Sequence, residues 1–326
     1  MLRRYRDDYY DFNSKHFHEQ LVKKYDFKHS YNFVRLSLRG SGLVPTSKVI
    51  RGPHRKKRPR KSMTGMMLHQ DGSTHEWIKG LGFHLDLIVT MDDATSEVYS
   101  AFLCDEEGTN STFKALHEVI NKKGLFCSFY TDRGSHYAYT PLAGSKVDKN
   151  KPTQVGRACK HLGVECIYAY SPEARGRSER LFGTWQNRLP QELRFNDITT
   201  ISAANKYIEE VLIPEFNAEF SHAAEASETA FITYVGRDIR DILSIQEERI
   251  VAKDNTVSYK NISLQIPSDN IRHHYVKCTV MVHEYYNGDL AIFHGPRNLA
   301  RYTASGKILN DKATACIEDH KIMVAA

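Results

Sequence analysis

The sequence predicts an α/β protein with a mixed β-sheet and flanking helices at its centre, a helical segment before it and a strand-rich segment after it. Between residues 66 and 245, short apolar runs that end in turn residues alternate with amphipathic, helix-like segments. A basic, proline-containing stretch precedes this region, and alternating apolar residues follow it. The 326 residues are enough for two or three domains. No apolar run approaches the roughly 18 residues needed to span a bilayer.

The central region, 66–245, follows the order β-β-β-α-β-α-β-α. This order is that of a ribonuclease H-like layer, a mixed sheet with helices on both faces. A hairpin turn is expected at Asp92-Asp93-Ala94-Thr95. Strands are predicted at 66–71, 83–91, 97–104, 125–131 and 164–170, and helices at 109–123, 152–162, from about Glu173, and at 201–219 with a kink or break at Pro214.

Residues 1–45 predict a helix-turn-helix DNA-binding segment with two short helices within 14–39. Asn32, Arg35 and Arg39 share one face of the second helix, at spacings of three and four. Asparagine and arginine are the side chains that pair best with adenine and guanine edges. The alternative is a small helical hairpin with a solvated charged face.

Residues 46–65 predict a basic linker. Proline and charge density make a packed element unfavourable there, and such a segment can follow DNA phosphates by releasing counterions. The alternative is a linker that only increases solubility. Residues 1–70 contain 17 Lys and Arg against 5 Asp and Glu, whereas the rest of the chain is acidic, so a polyanion-binding arm on a metal-binding body is expected. The residues expected to contact phosphates are Arg55, Lys56, Lys57 and Arg58.

Residues 250–310 predict a small SH3-like β-barrel, and 311–326 form a tail without a clear pattern. The barrel strands are expected at 257–265, 274–284 and 290–294. A hairpin turn is expected at Tyr286-Asn287-Gly288-Asp289, because Asn-Gly tolerates positive φ.

Asp71, Asp132 and Glu179 carry the main chemical signal. Asp71 comes directly after the apolar run 66–70, and Asp132 directly after the run 125–131. Glu179 lies in a later helix-like segment. Two acids at strand ends and a third on a helix can converge, and converging carboxylates usually hold divalent metal because they otherwise repel. We expect all three to be catalytic and to be ligands of Mg²⁺ or Mn²⁺. Two such ions can activate the nucleophile and stabilise the leaving oxygen of a phosphodiester.

The segment around Glu179 has an apolar face at Leu181, Trp185 and Leu189, which it can bury while it offers Glu179 to a substrate. The alternative is a solvated glutamate on an amphipathic helix. The neighbouring basic residues expected to contact DNA are Arg175, Arg177 and Arg180.

Asp92 competes as a site residue, and we interpret it as a structural turn residue with a site role as the alternative. The chain has no Gly-x-x-x-x-Gly-Lys loop, so no nucleotide cofactor is expected. The polar start, Met-Leu-Arg-Arg-Tyr-Arg, does not match a signal peptide, so a cytoplasmic protein without membrane contact is expected.

Four stretches together resemble an insertion-sequence transposase with a retroviral-integrase-like catalytic core, most similar to the ISNCY type. The stretches are 69–77, 92–95, 130–135 and 171–181. The resemblance implies a DDE triad of Asp71, Asp132 and Glu179 with Mg²⁺ or Mn²⁺. It also implies cleavage of double-stranded DNA at transposon ends, transfer of the 3′-hydroxyl into target DNA, a homo-oligomer on DNA and association with the nucleoid.

The resemblance also raises an alternative. Such transposases usually begin with a further helix-turn-helix region, and Met1 falls where the second such unit would start. The chain is then a truncated or domesticated transposase-derived DNA-binding protein without strand-transfer activity. A nuclease that hydrolyses DNA without strand transfer is a third reading, because the same metals serve both nucleophiles.

Overall fold

The structure is a computed structural model that describes residues 1–45, 59–141, 146–148, 150–170, 176–268 and 270–309. The chain divides into two compact units. The first unit comprises 1–107, 126–132 and 166–232, and the second comprises 108–125, 133–165 and the chain from 233 onward.

The helices and strands of the described residues have the following bounds. The helices are α1 (Leu2–Asp7), α2 (Ser14–Tyr25), α3 (Tyr31–Gly40), α4 (Thr109–Lys123), α5 (Gln154–His161), α6 (Gly176–Gln186), α7 (Leu189–Phe195), α8 (Ile201–Tyr207) and α9 (Ile213–Phe220). The strands are β1 (Leu68–His75), β2 (Leu85–Asp92), β3 (Val98–Cys104), β4 (Ser128–Thr131), β5 (Glu165–Tyr168), β6 (Ser244–Ile250), β7 (Thr256–Tyr259), β8 (Ile262–Gln265), β9 (Thr279–Tyr285), β10 (Leu290–His294), β11 (Arg297–Tyr302) and β12 (Ile308–Leu309).

The central sheet has the order β3-β2-β1-β4-β5. The β1–β2 and β2–β3 pairs are antiparallel, and β1 runs parallel to β4, which confirms the predicted mixed sheet. The β2–β3 hairpin turn also forms where it was expected. The predicted end of β1 at Asp71 is wrong, because the polar residues after it continue the ladder with β2 as far as the pair His75 and Leu85.

One core of the first unit forms between the sheet and α6 to α9. Leu87 and Val89 of β2 belong to the same buried cluster as Trp77, Trp185 and Phe216. Both tryptophans are completely buried. A fully buried large apolar side chain contributes roughly 1.5–3 kcal/mol, so this cluster fixes how the helices dock.

The predicted interruption near Pro214 is a change of helical winding. Between α8 and α9, residues Ile208–Leu212 form a π-helical turn. Pro214 lies in the first turn of α9. A proline cannot donate the usual i→i−4 bond, so the helix widens before it and continues beyond it.

The N-terminal helices share an aromatic core. Tyr9, Phe12 and Phe17 are buried together with Val34 and Leu38 of α3. The two short helices expected within 14–39 are thus confirmed as α2 and α3, and α1 is an additional helix. The assignment of this segment as a helix-turn-helix stays a prediction.

A buried polar joint connects α2 to the body of the first unit. His16 Nε2 lies 2.6 Å from Glu192 Oε1, and the Tyr207 hydroxyl donates to Glu192 Oε2 at 2.6 Å. Burial alone would raise the pKa of Glu192, but the bonds from His16 and Tyr207 and the nearby charges outweigh it, so the pKa lies below its ordinary value.

The second unit contains α4, α5 and a five-stranded antiparallel sheet of order β12-β11-β10-β9-β6. The hairpin β7–β8 shares a core with this sheet. Among residues 244–309 as described, the sheet and hairpin do not close into the predicted barrel. The strand-rich part begins at Ser244, before the predicted 250, because α5 supports the start of β6: the Gln154 side chain bonds both the N–H and the carbonyl of Gln246. Gly288, at φ +86°, confirms the predicted Asn-Gly turn.

A search of the described residues for a helix both long and apolar enough to cross a membrane found none.

We expect Glu192→Gln to destabilise the first unit by about 3 kcal/mol at neutral pH, because it removes the charge of a buried carboxylate that is hydrogen-bonded to His16 and Tyr207. Urea unfolding followed by tryptophan fluorescence measures this directly, since Trp77 and Trp185, the chain's 2 tryptophans, both lie in the first unit. Glu215→Gln is the matched control. Glu215 forms an exposed pair with Lys23, so its loss should cost less than about 1 kcal/mol.

The difference between wild type and Glu192→Gln should depend on pH. Because folding lowers the pKa of Glu192 from 4.5, the stabilisation is complete above that pH and is lost as the pH falls through the folded value. The two unfolding free energies should therefore converge on acidification. A difference that stays constant from neutral to acidic pH would show that the ionised carboxylate is not what stabilises the joint.

Candidate active site

The parallel register of β1 and β4 brings two of the predicted acids to adjacent positions. His69 of β1 stands opposite Tyr130 of β4. Continued by two residues, this register brings Asp71 of β1 opposite Asp132, the residue directly after β4. Residues two apart on a strand share a face, and neighbouring strands lie about 4.8 Å apart, so both carboxylates project from the same side of the sheet. Asp71 is buried and Asp132 is half-buried.

Glu179 lies in the first turns of α6, which packs on the sheet through Leu181 and Trp185. The far end of α6 is tied to β1, because the Gln186 amide donates to Ser73 Oγ at 3.0 Å. Glu179 itself is exposed. The helix therefore buries the face predicted for it and leaves Glu179 accessible to a ligand.

The donor set suits a hard divalent cation. Asp71, Asp132 and Glu179 offer only carboxylate oxygens, the ligands that Mg²⁺ and Mn²⁺ prefer. Within the described residues, no three or more His, Cys, Asp or Glu side chains form a group arranged to hold a metal ion. Among the described residues, Asp71 thus lies in β1 and Asp132 directly after the paired strand β4, without a completed three-carboxylate group that includes Glu179.

Asp92 is the structural turn residue that its sequence context predicts. It is fully buried, and its Oδ1 accepts bonds from the N–H groups of Ala94 and Thr95. Its Oδ2 accepts from the N–H of Gly65 at 2.9 Å. Every one of these bonds shapes the hairpin turn or the chain entering the core.

The next residue, Asp93, connects three segments of the first unit. Its Oδ1 lies 2.6 Å from His69 Nε2 and also accepts a bond from the Arg177 guanidinium. Its Oδ2 accepts from the N–H of Lys61 at 2.7 Å. Arg60 donates to the Asp93 carbonyl at 3.0 Å. Asp93 is fully buried, so this carboxylate is a charged centre inside the protein.

The sequence patterns predict no separate role for Asp93. The one indication they contain is the Asp-Asp pair after a strand, since a turn needs only one capping carboxylate. The partners His69 and Arg177 each precede a predicted catalytic acid by two residues, but their meeting at Asp93 requires the docking of α6, which no local pattern encodes.

The expected DNA-reading face of α3 is partly buried. Asn32 is exposed, whereas Arg35 and Arg39 are half-buried. Among the described residues, neither Arg35 Nε nor Arg39 Nε has a hydrogen-bond partner, and both atoms are shielded from water. Their contact with DNA stays a prediction.

The basic residues near Glu179 separate into different environments. Arg180 is exposed, and its Nε donates to the Gly176 carbonyl. Arg177 points into the protein instead, with a side chain that is only 13% exposed and paired with Asp93. Its expected contact with DNA stays a prediction. Arg175 and the four linker residues Arg55, Lys56, Lys57 and Arg58 lie outside the described residues.

We expect Mg²⁺ to stabilise the wild-type protein against unfolding, by about 2.7 kcal/mol when free Mg²⁺ is 100 times its dissociation constant. Asp71→Asn and Asp132→Asn should each remove most of this gain, because each loses a ligand. In a chelator both variants should be at least as stable as the wild type, since one of two repelling charges is gone. Thermal unfolding with Mg²⁺ and with chelator measures both effects.

Asp86→Asn is the matched control. Asp86 lies in β2, and its carboxylate accepts bonds from Thr74 Oγ1 and the N–H of Glu107. This variant should lose stability but keep the full response to Mg²⁺. An undiminished response in Asp71→Asn and Asp132→Asn would exclude the pair as metal ligands.

The comparisons with known proteins point to one class of relative. The chain is 29% identical over 236 residues to the transposase for insertion sequence IS1202 of Streptococcus pneumoniae, across 72% of this chain and 50% of that protein. It is 26% identical over 289 residues to the putative transposase y4bF of Sinorhizobium fredii, across 88% of this chain and 62% of that protein. The chain therefore spans about half to three-fifths of the length of these curated relatives. No family model matches the chain.

The solved structures that align with the chain include retroviral integrases. An intasome of simian T-cell lymphotropic virus, in complex with a PP2A regulatory subunit, aligns with a TM-score of 0.39 at 14% identity, across 86% of this chain and 91% of that one. The HTLV-2 integrase catalytic core in complex with magnesium aligns with a TM-score of 0.34 at 16% identity, across 46% of this chain and 89% of that one. In sequence the chain is similar to insertion-sequence transposases, which confirms the resemblance that its motifs indicated.

Proposed function

We propose that the chain carries the catalytic part of a DNA transposase that cleaves at transposon ends and transfers the 3′-hydroxyl to target DNA. The observation that supports this most directly is the parallel register of β1 and β4, which, continued by two residues, brings Asp71 opposite Asp132. The helix that carries Glu179 packs on the same strand, β1. The sequence similarity to insertion-sequence transposases makes strand transfer the first reaction to test.

In the proposed site, Asp71, Asp132 and Glu179 hold Mg²⁺ or Mn²⁺, most simply as two ions. Bound metal would activate the attacking water or hydroxyl and stabilise the leaving oxygen. Asp71 lies in β1 and Asp132 directly follows β4, so the pairing of these strands would hold the two carboxylates near each other before DNA arrives. Glu179 comes from a docked helix, so its approach completes the ligand set. The buried face of α6 keeps this helix at the edge of the site.

We propose double-stranded DNA as the substrate and a homo-oligomer on DNA as the working form, in the cytoplasm and on the nucleoid. The basic composition of residues 1–70 provides the electrostatic attraction for such a polyanion. Arg180 is exposed one residue after Glu179, where it can contact a phosphate beside the scissile bond.

Purified protein should join labelled duplexes carrying the ends that flank its own gene to a supercoiled plasmid in the presence of Mg²⁺ or Mn²⁺. Asp132→Asn and Glu179→Gln should abolish cleavage and joining, because each removes a charged ligand, while DNA affinity stays within about twofold. Gel assays of cleavage and joining, with binding measured in parallel, separate these effects.

Asp86→Asn is again the control and should retain both steps. A variant Asp132→Asn that cuts at the wild-type rate would remove Asp132 from the mechanism. Binding without any joining by the wild type would favour a repurposed DNA-binding protein, and cutting without joining would favour a hydrolytic nuclease.

Neutralising the linker residues Arg55, Lys56, Lys57 and Arg58 to glutamine should weaken DNA binding and flatten its salt dependence. Each phosphate contact contributes about 0.9 to the slope of log K against log salt on duplex DNA, so four contacts contribute up to roughly 3.6. Binding titrations at several salt concentrations give the slope.

The control variant carries glutamine at four exposed lysines of the body, so that the net charge changes equally. The lysines are Lys160, Lys206, Lys253 and Lys277. Its slope should stay close to that of the wild type. Equal slopes in the wild type and the linker variant would show that the linker does not contact phosphates.

A further inference from the structure

Asp93 has a function that the hairpin turn does not require. Asp92 already accepts the N–H groups of Ala94 and Thr95 that close the turn. The Asp93 carboxylate is directed away from the turn, towards His69 and Arg177. Asp93 therefore contacts other segments of the first unit instead of the turn.

On α6, the contact with Asp93 fixes the first turn of the helix. Arg177 and Glu179 are two residues apart, which places their side chains about 200° apart around the helix. With Arg177 held inside the protein, Glu179 must face away from it, and Glu179 is indeed exposed. Gln186 anchors the other end of α6 to Ser73, so the two contacts together fix both the position and the rotation of the helix.

On β1, the contact with Asp93 reaches the strand two residues before Asp71. His69 and Asp71 project from the same face of the strand. The His69 ring also lies 4.8 Å from the ring of Tyr130, two residues before Asp132. The Asp93 carboxylate thus contacts His69 and Arg177, which lie two residues before Asp71 and Glu179. The His69 ring in turn packs against Tyr130, which lies two residues before Asp132.

Burial makes the contact between Asp93 and Arg177 difficult to replace with contacts to water. Asp93 is fully buried and Arg177 is 13% exposed, so neither charge is well solvated without the other. If either is removed, the remaining charge must move towards water, and for Arg177 that movement displaces the start of α6.

We propose that Asp93 is a positioning residue for the reaction assigned above. It sets the distance between Glu179 and Asp71 by holding Arg177 and His69 together, without contacting metal or DNA itself. Its bond to the N–H of Lys61 fixes, at the same point, where the basic linker joins the core. The inference rests on the proposed function for its effect on rate, but the effect on the position of α6 is independent of that function.

Asp93→Asn keeps the size of the side chain and removes its charge. Its cleavage rate constant should fall by about 10- to 100-fold, the scale expected for a displacement of about 1 Å in a catalytic group. Its affinity for end DNA should change by less than about twofold. The Mn²⁺ concentration for half-maximal cleavage should rise, because one ligand is displaced. Asp86→Asn, measured below its unfolding temperature, should change none of the three.

Arg177 provides the second arm of the test. Arg177→Lys keeps the charge and should retain more activity than Arg177→Met. The double variant Asp93→Asn with Arg177→Met should be no slower than the slower single variant, because both substitutions break the same contact. Multiplied losses of rate would show that the two residues act separately and would overturn the proposal.

Hydrogen exchange of the protein without DNA or metal separates the proposal from the assigned function. Asp93→Asn should increase amide exchange at the start of α6, within 176–181, and leave α8 unchanged. A wild type that fails to cut would defeat the proposed function, yet faster exchange in α6 would still support the role of Asp93. Unchanged exchange in α6 would overturn that role whatever the activity.

Discussion

The parallel pairing of β1 with β4 is the constraint on which the candidate site depends. A parallel register repeats the same offset along both strands, so continuing from the pair His69 and Tyr130 brings Asp71 opposite Asp132. Two ionised carboxylates on neighbouring strands repel each other, and this repulsion opposes folding. The buried cluster around Trp77 and Trp185 supplies the apolar stabilisation that can offset such a cost. The same cluster docks α6, so the strands and the helix of the candidate site depend on one core.

In the first unit, the acids Asp92, Asp93 and Glu192 each have their own hydrogen-bond partners. Asp92 is satisfied by backbone N–H groups, which need no counter-charge. Asp93 is satisfied by a cationic side chain, that of Arg177 in α6. Glu192 is satisfied by His16 and Tyr207, which join α2 to the body. These three acids therefore stabilise a turn, a helix position and a joint between segments.

The sequence predicts best what local patterns determine. The helix α4 forms at the predicted 109–123, because Gly108 and Gly124 flank it and its apolar residues recur at regular helical spacing. The end of β1 was misjudged because ladder bonds with β2 outweigh the polar character of residues 72–75. The barrel was expected from strand spacing alone, yet closure depends on long-range pairing that spacing does not encode. The sequence could predict that Asp71 and Asp132 lie near each other, since both follow apolar runs. It could not predict the contact between Asp93 and Arg177, because that contact depends on how α6 docks.

The charge distribution along the chain bears on how a polyanion could approach an acidic site. Three carboxylates repel phosphate, so an attractive surface must lie close enough to compensate within a screening length of about 8 Å. Arg60 and Lys61 are bonded to the turn that also holds α6. The Asp93 carboxylate accepts bonds from both the N–H of Lys61 and the guanidinium of Arg177. One buried carboxylate therefore holds Lys61 close to the first turn of α6, the helix that carries Glu179, so positive charge stays near an otherwise acidic part of the first unit.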